Sequence, residues 1–255
     1  MKVGKRMKIK IAYVSTIMAS SLVIGGISAT AATAGSMDSI TDATFTQDKT
    51  VTTPLDPTDP NTPVTPVDPT DPTDPHAPGT SGPLSIDYVS NFHFGSNVIS
   101  PLSKTYYAKL DKVKVASSGN IISVPNFVQV TDKRGTNVGW KLTVKQNGQF
   151  KTQDAAPQTL NNAELSIVAG TPKSLTDAAY APTTSIATLD PTGAASSDIA
   201  VAAADKGMGT WAIAFGGDAT TAATAVSLKV PMGTAKVADV PYKTTLTWNL
   251  EDTPN

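Results

Sequence analysis

Apolar and polar residues alternate along most of the C-terminal two thirds of the chain. The period of two predicts short strands over residues 127–130, 138–144, 165–167, 211–215, 226–230 and 242–250. Turn-forming residues at 132–137 and 216–218 punctuate them. Helical periodicity is scarce; the alanine-rich stretch 194–204 predicts at most a turn or two of helix, interrupted by serines and Asp198. Many short strands without alternating helices predict an all-β fold, an antiparallel β-sandwich-like single domain.

The same alternation assigns faces. In the last strand Tyr242, Thr244, Leu246, Trp248 and Leu250 share one side, and Lys243, Thr245, Thr247, Asn249 and Glu251 share the other. Around Trp140 the split repeats, with Val138, Trp140, Leu142 and Val144 opposed to Gly139, Lys141, Thr143 and Lys145. Trp211, Ile213 and Phe215 form a third such set. The tryptophans are therefore expected on the core side, where truncation to alanine costs about 3–5 kcal/mol. The competing reading, an exposed indole stacked on a sugar, asks for the opposite orientation.

The N-terminal third is different. Lys2, Lys5, Arg6, Lys8 and Lys10 precede an apolar run over 11–27 and two A-x-A sites, the layout of a secretory signal peptide over residues 1–34 with cleavage after Ala34, or next after Ala31. Residues 35–50 read as a disordered leader. Over 51–83 proline recurs at every third position from Pro54 to Pro78, the period of polyproline II. That segment predicts a semi-rigid spacer, roughly 75 Å long between those prolines, leading into a β domain at 84–255.

Removing five basic side chains from 20 basic and 21 acidic ones leaves a mature chain near −6, which argues against a nucleic-acid partner. No later run is long enough to span a bilayer as a helix, so the protein is not expected to be an integral membrane protein. With no cysteine there is neither disulfide framework nor thiolate metal site. His76 and His93 lack metal-ligand spacing, no catalytic fingerprint is present, and carboxylate pairs such as Asp87 with Asp111 or Glu251 with Asp252 arise in any domain this acidic. Neither an enzyme nor a cofactor is expected.

The terminal segment, with Tyr242, Leu246, Thr247, Trp248, Leu250 and Pro254 in the order Y-x-x-x-L-T-W-x-L-x-x-x-P, resembles the C-terminal signature of WxL-domain surface proteins of Gram-positive bacteria. Gly139-Trp140-Lys141-Leu142-Thr143, preceded by Asp132-x-Arg134-Gly135, resembles the second family motif, and the likeness extends back to Ile86-Asp87-Tyr88 and Phe92-x-Phe94-Gly95. The resemblance implies a secreted protein held non-covalently on the cell wall through peptidoglycan or associated wall polymers, beside membrane-anchored bacterial surface proteins. The lack of an L-P-x-T-G sorting motif before Asn255 points the same way. The alternative is an adhesin or surface-complex subunit whose ligand is a host or bacterial protein.

Charge suggests where a wall polymer would sit. Residues 101–151 carry nine basic side chains and two acidic ones, whereas 152–255 carry five and ten. Arg134, Lys141 and Lys145 surround the upstream motif and are the candidate contacts for an anionic polymer, the arginine as a planar fork and the lysines as point charges. A solvated strand face is the plain alternative for the lysines.

Overall fold

The computed structural model of the chain describes residues 35–68 and 75–254. The signal peptide expected over 1–34 lies outside the described residues, as do Pro69, Asp71, Pro72 and Asp74 of the spacer. The chain divides into two units, 1–44 and 45–255. Of the first, residues 35–44 are described and carry no helix or strand.

The second unit is built from antiparallel strands. They begin with β1 (Leu55–Asp56), β2 (Asp59–Pro66), β3 (Leu84–Val89), β4 (Lys104–Tyr107), β5 (Asp111–Val115) and β6 (Ile121–Val124). Next come β7 (Phe127–Asp132), β8 (Trp140–Gln146), β9 (Lys151–Thr152), β10 (Glu164–Ile167), β11 (Thr171–Lys173) and β12 (Thr183–Thr184). The last are β13 (Ala187–Thr188), β14 (Ser197–Ala202), β15 (Gly209–Ala214), β16 (Val226–Val230), β17 (Tyr242–Lys243) and β18 (Leu246–Glu251). Among the described residues, helix is confined to a single turn at Ala219–Ala222, capped by Asp218, and a 3-10 turn at Ala178–Tyr180.

Among the described residues, four sheets of four strands run in the orders β1-β2-β5-β6, β13-β10-β16-β4, β11-β15-β7-β3 and β12-β14-β8-β18, and a short ribbon pairs β17 with β9. Strand β7 is buried at all six positions. Val128 and Val130 on one side join the main core with Trp140, Leu142, Val144, Trp211 and Ile213. Phe127 joins a smaller core with Val64, Tyr88, Val113, Val124 and Ala212. The sheet containing β7 is therefore covered on both faces.

On the smaller-core side β7 also carries Gln129 and Thr131, which together with Ser85 donate to the buried Asp87 carboxylate. Burial pushes that carboxyl above the usual range and the three donors oppose the shift. Gln129 reaches further, accepting from the Leu55 N–H at 2.7 Å and donating to the Thr53 carbonyl.

That contact leads to the main departure from the sequence reading. The spacer expected over 51–83 is, where described, joined to the domain. Strand β2 pairs with β5 at Val64, Thr65 and Pro66, and Val64 is fully enclosed. The prolines do not prevent this, because the residues between them supply the donors: Val64 N–H reaches Pro54 O, Val67 N–H reaches Lys112 O, and Pro63 contributes its carbonyl to Ala116 N–H. Periodicity by three hid one apolar side chain that a sheet could use. The leader is also engaged at its end, since Asp48 pairs with Lys133 at 2.8 Å and Gln47 donates to the Arg134 carbonyl.

All six strands expected from alternation are present, the last divided into β17 and β18. The alanine-rich stretch forms β14 instead of a helical turn. It pairs along β8, with a bulge between Asp198 and Ala200, and small buried Ala200 and Ala202 fit against Leu142 and Trp140. Pairing partners outweigh the weak helix preference of a few alanines.

If β2 belongs to the fold, Val64→Ala should lower unfolding free energy by about 2 kcal/mol in urea denaturation. Val51→Ala, at an exposed site, should change nothing. A free-standing spacer would leave stability equal in both variants.

Candidate functional site

The two tryptophan motifs, far apart in sequence, are neighbouring strands. β18 lies antiparallel to β8 with Leu250 opposite Leu142, Trp248 opposite Val144 and Leu246 opposite Gln146. The ribbon continues past a break, where Tyr242 faces Thr152 and Lys243 faces Lys151. Alternation then sends both motifs' apolar residues to one side.

Trp140 has no solvent exposure, and its indole N–H donates to Gly207 O at 2.9 Å. Trp211 is equally enclosed and donates to the next carbonyl, Met208 O, at 2.9 Å. The two indoles thus hang from one short loop between β14 and β15. Two glycines make room. A Cβ on Gly207 would fall 2.4 Å from the Trp140 indole nitrogen, and one on Gly139 would fall 2.2 Å from Ala202 O, both at positive φ.

Trp248 differs. It is half-buried, packed on the main core and stacked on Phe215 with ring centroids 6.3 Å apart. Phe92 also meets Phe215 edge-on at 6.2 Å, which is where the Phe92-x-Phe94 stretch enters the fold. Leu246 and Leu250 are half-buried beside Trp248, Leu142 is fully buried, and Pro254 is half-buried. The Tyr242 hydroxyl accepts from the Val237 N–H at 2.9 Å. The terminal motif packs on the core from its edge, while the upstream motif lies inside it.

Arg134 is not available to an outside anion. Its Nε and Nη2 hold both oxygens of Asp132 at 3.0 and 2.8 Å, Nη1 donates to Asp252 O at 2.8 Å, and Nη2 also donates to Gly139 O. The Asp132 side chain is 3% exposed and that of Arg134 10%. The D-x-R-G turn therefore ties the start of β8 to the chain just beyond β18. Lys141 is also engaged, 3.1 Å from Asp198 on β14 and opposite Glu251 on β18. Of the three expected anion contacts, Lys145 remains, half-buried, opposite Thr247 and without an ion pair among the described residues.

What faces outward around Lys145 is polar and low in negative charge. Thr245, Thr247, Asn147 and Asn249 are exposed, with the Asn147 amide donating to both threonine hydroxyls at 3.0 and 2.9 Å. Lys151 and Lys243 are exposed further along the same ribbon. Among the described residues, no group of three or more histidines and carboxylates is arranged to hold a metal ion. No described helix is long and apolar enough to cross a membrane.

A scan of protein families matches residues 32–254 to the WxL family, described as WxL domain surface cell wall-binding. The chain belongs to the WxL family. Neither a search of curated proteins nor one of solved structures finds a match. The match covers the proline-rich segment as well as the strands after it, in keeping with β1 and β2 being part of the folded unit. Membership places the protein at the cell surface, in a family of wall-binding domains.

Within this WxL domain both motifs are legible in the sequence, whereas the groups that complete them are not. Gly207 and Met208 contribute only carbonyls, for which no side chain gives a signal. Asp132 was visible as part of D-x-R-G, but its role as partner to Arg134 depends on a turn bringing the side chains together.

Replacing Arg134 by alanine should cost about 3 kcal/mol of stability, because it strands a buried Asp132 carboxylate. Arg134→Lys should recover little, since a single ammonium cannot reach two carbonyls and a carboxylate together. Lys145→Ala should leave the thermal midpoint nearly unchanged. Thermal and urea melts of the three variants measure this.

Proposed function

We propose that the WxL domain is a non-catalytic module that holds the protein non-covalently to peptidoglycan or its associated polymers. Contact is made on the outward face of the β8–β18 ribbon. Family membership supports wall binding. The observation that carries the choice of face is the division of the ribbon into two sides. Trp140, Leu142, Trp248 and Leu250 pack toward the core, while Lys145, Asn147, Thr245, Thr247 and Asn249 remain at the surface.

Such a face suits a glycan carrying carboxylates or phosphates. Hydroxyls and amides exchange hydrogen bonds with sugar hydroxyls, and lysines supply positive charge without demanding one rigid geometry. Lys151 and Lys243 would extend the contact along the ribbon. Arg134 and Lys141 act indirectly by keeping β8, β14 and the end of β18 in register. A partner membrane-anchored surface protein would leave this face free only if it docks elsewhere.

The full chain should sediment with purified Gram-positive peptidoglycan. Neutralising Lys145 and Lys151 should weaken retention roughly fivefold per lysine, equal to about 1 kcal/mol each, with stability unchanged. Rising salt should reduce binding in the wild type more than in the double variant. Retention that is identical in all variants would remove this face from the wall contact. Failure of the folded wild type to sediment would remove wall attachment itself.

A further inference from the structure

Several of the most exposed apolar side chains belong to two loops at one end of the sheet β13-β10-β16-β4. One loop, 96–103, leads into the edge strand β4, and the other, 231–237, leaves β16. Because Val230 stands opposite Lys104, the two loops leave the sheet side by side. In the first, Val98 is 92% exposed, Ile99 50% and Leu102 64%; in the second, Met232 is 69% exposed. Apolar side chains so fully in water at one place call for a covering phase or partner.

The loops are ordered from within. Met232 N–H donates to Ser103 Oγ at 2.9 Å, and Lys236 Nζ donates to Ser100 O at 3.2 Å and Thr234 O at 3.0 Å, which joins one loop to the other. The Asn97 amide donates to the carbonyls of Phe94 and Gly95 at 3.0 and 3.2 Å, and Leu102 N–H donates to Ser100 Oγ at 3.1 Å. At the root, Phe92 and Phe94 pack on the main core. Several polar groups of the loops are thus paired inside the protein, which lowers the cost of taking them out of water.

Charge around the loops has one sign. Residues 91–110 and 226–238 contain Lys104, Lys109, Lys229 and Lys236 and no aspartate or glutamate. Lys104 and Lys109 are exposed, and the Lys109 stem lies over Gly95, its Cε 2.9 Å from where a Cβ would stand. Lys229 faces Glu164 across the sheet and Asp239 follows the second loop, so the local excess rests on Lys104, Lys109 and Lys236.

We propose that the joined loops are a peripheral membrane contact. Val98, Ile99, Leu102 and Met232 enter the boundary between headgroups and acyl chains, while Lys104, Lys109 and Lys236 meet the phosphates of anionic lipids. Side chains that project from loop tips are accommodated by a fluid bilayer, whereas a protein partner has to offer a shaped pocket for each. Lysine suits the rim, since its stem lies along apolar surface while its ammonium stays with the headgroups. Lys236 keeps one donor beyond the two given to carbonyls. A few apolar side chains or a few lysines alone bind weakly; together they require anionic lipid and lose strength in salt.

Protein collected from culture medium, with the same N-terminus in every variant, is mixed with vesicles of equal parts phosphatidylglycerol and phosphatidylcholine, and with vesicles of phosphatidylcholine alone. It should sediment with the first and at least tenfold less with the second. Val98→Ser with Leu102→Ser should weaken binding tenfold or more at unchanged Tm, and Lys104→Gln and Lys109→Gln roughly fivefold each. Lys145→Ala should leave vesicle binding as it is. Retention on peptidoglycan should be unaffected by Val98→Ser with Leu102→Ser, so the wall contact and the lipid contact fail separately.

The chain has no cysteine, so Val98→Cys carries an environment-sensitive fluorophore at one defined site. Its emission should shift to the blue on the anionic vesicles. The same label at Ile186→Cys, 73% exposed beside β13 at the far edge of the same sheet, should not respond. Equal shifts at both sites, equal binding to both kinds of vesicle, or binding untouched by Val98→Ser with Leu102→Ser would overturn the proposal. So would a dimer formed without lipid and abolished by that double variant, in protein that ignores both kinds of vesicle.

Discussion

A buried indole N–H needs an acceptor, and this fold contains two such groups within one core. Trp140 and Trp211 find theirs on adjacent carbonyls of a single loop, Gly207 and Met208. Leaving either unmade costs about 1–3 kcal/mol, so the loop position is tightly specified. From it follow the need for glycine at 207, the small alanines of β14 beside Trp140 and the placement of β15 against β7. The main core is arranged around where those two N–H groups can be satisfied.

The W-x-L pattern is best understood as a pair of strands rather than two separate motifs. Leu142 opposite Leu250 and Val144 opposite Trp248 form one apolar surface from two distant parts of the chain. Arg134 closes the arrangement by holding the carbonyls of Gly139 and Asp252, one at each strand's end, while its charge is balanced by Asp132. Tryptophan and arginine, the residues most often associated with ligand contact, here hold the scaffold, and threonine, asparagine and lysine face outward.

The proline-rich segment extends this logic to the opposite side of the molecule. Without β2, β5 and β6, Phe127 and Tyr88 would lose the smaller core that covers them. One valine among prolines is enough to join that core, because prolines need only supply carbonyls at a sheet margin. Among the described residues, His76 meets the Tyr88 hydroxyl and His93 meets Asp68 where the chain turns back toward β3.

Alternation by itself determined the six main strands, the all-β class and the side of β18 on which Trp248 lies, because a strand's side chains alternate whatever its partner. It also made the terminal motif recognisable. Tertiary structure decided the rest. Burial of Trp140 but only half-burial of Trp248 depends on one strand being interior to its sheet and the other at the edge. Arg134 was legible as a cation and not as an internal clamp, since two of its acceptors are backbone carbonyls and the third, the Asp132 carboxylate, is brought to it by a turn. The proline period suggested a rod, yet Val64 found a complementary cavity that no local pattern records. Local periodicity fixes the direction a side chain takes; which surface meets it is set by residues far away in the chain.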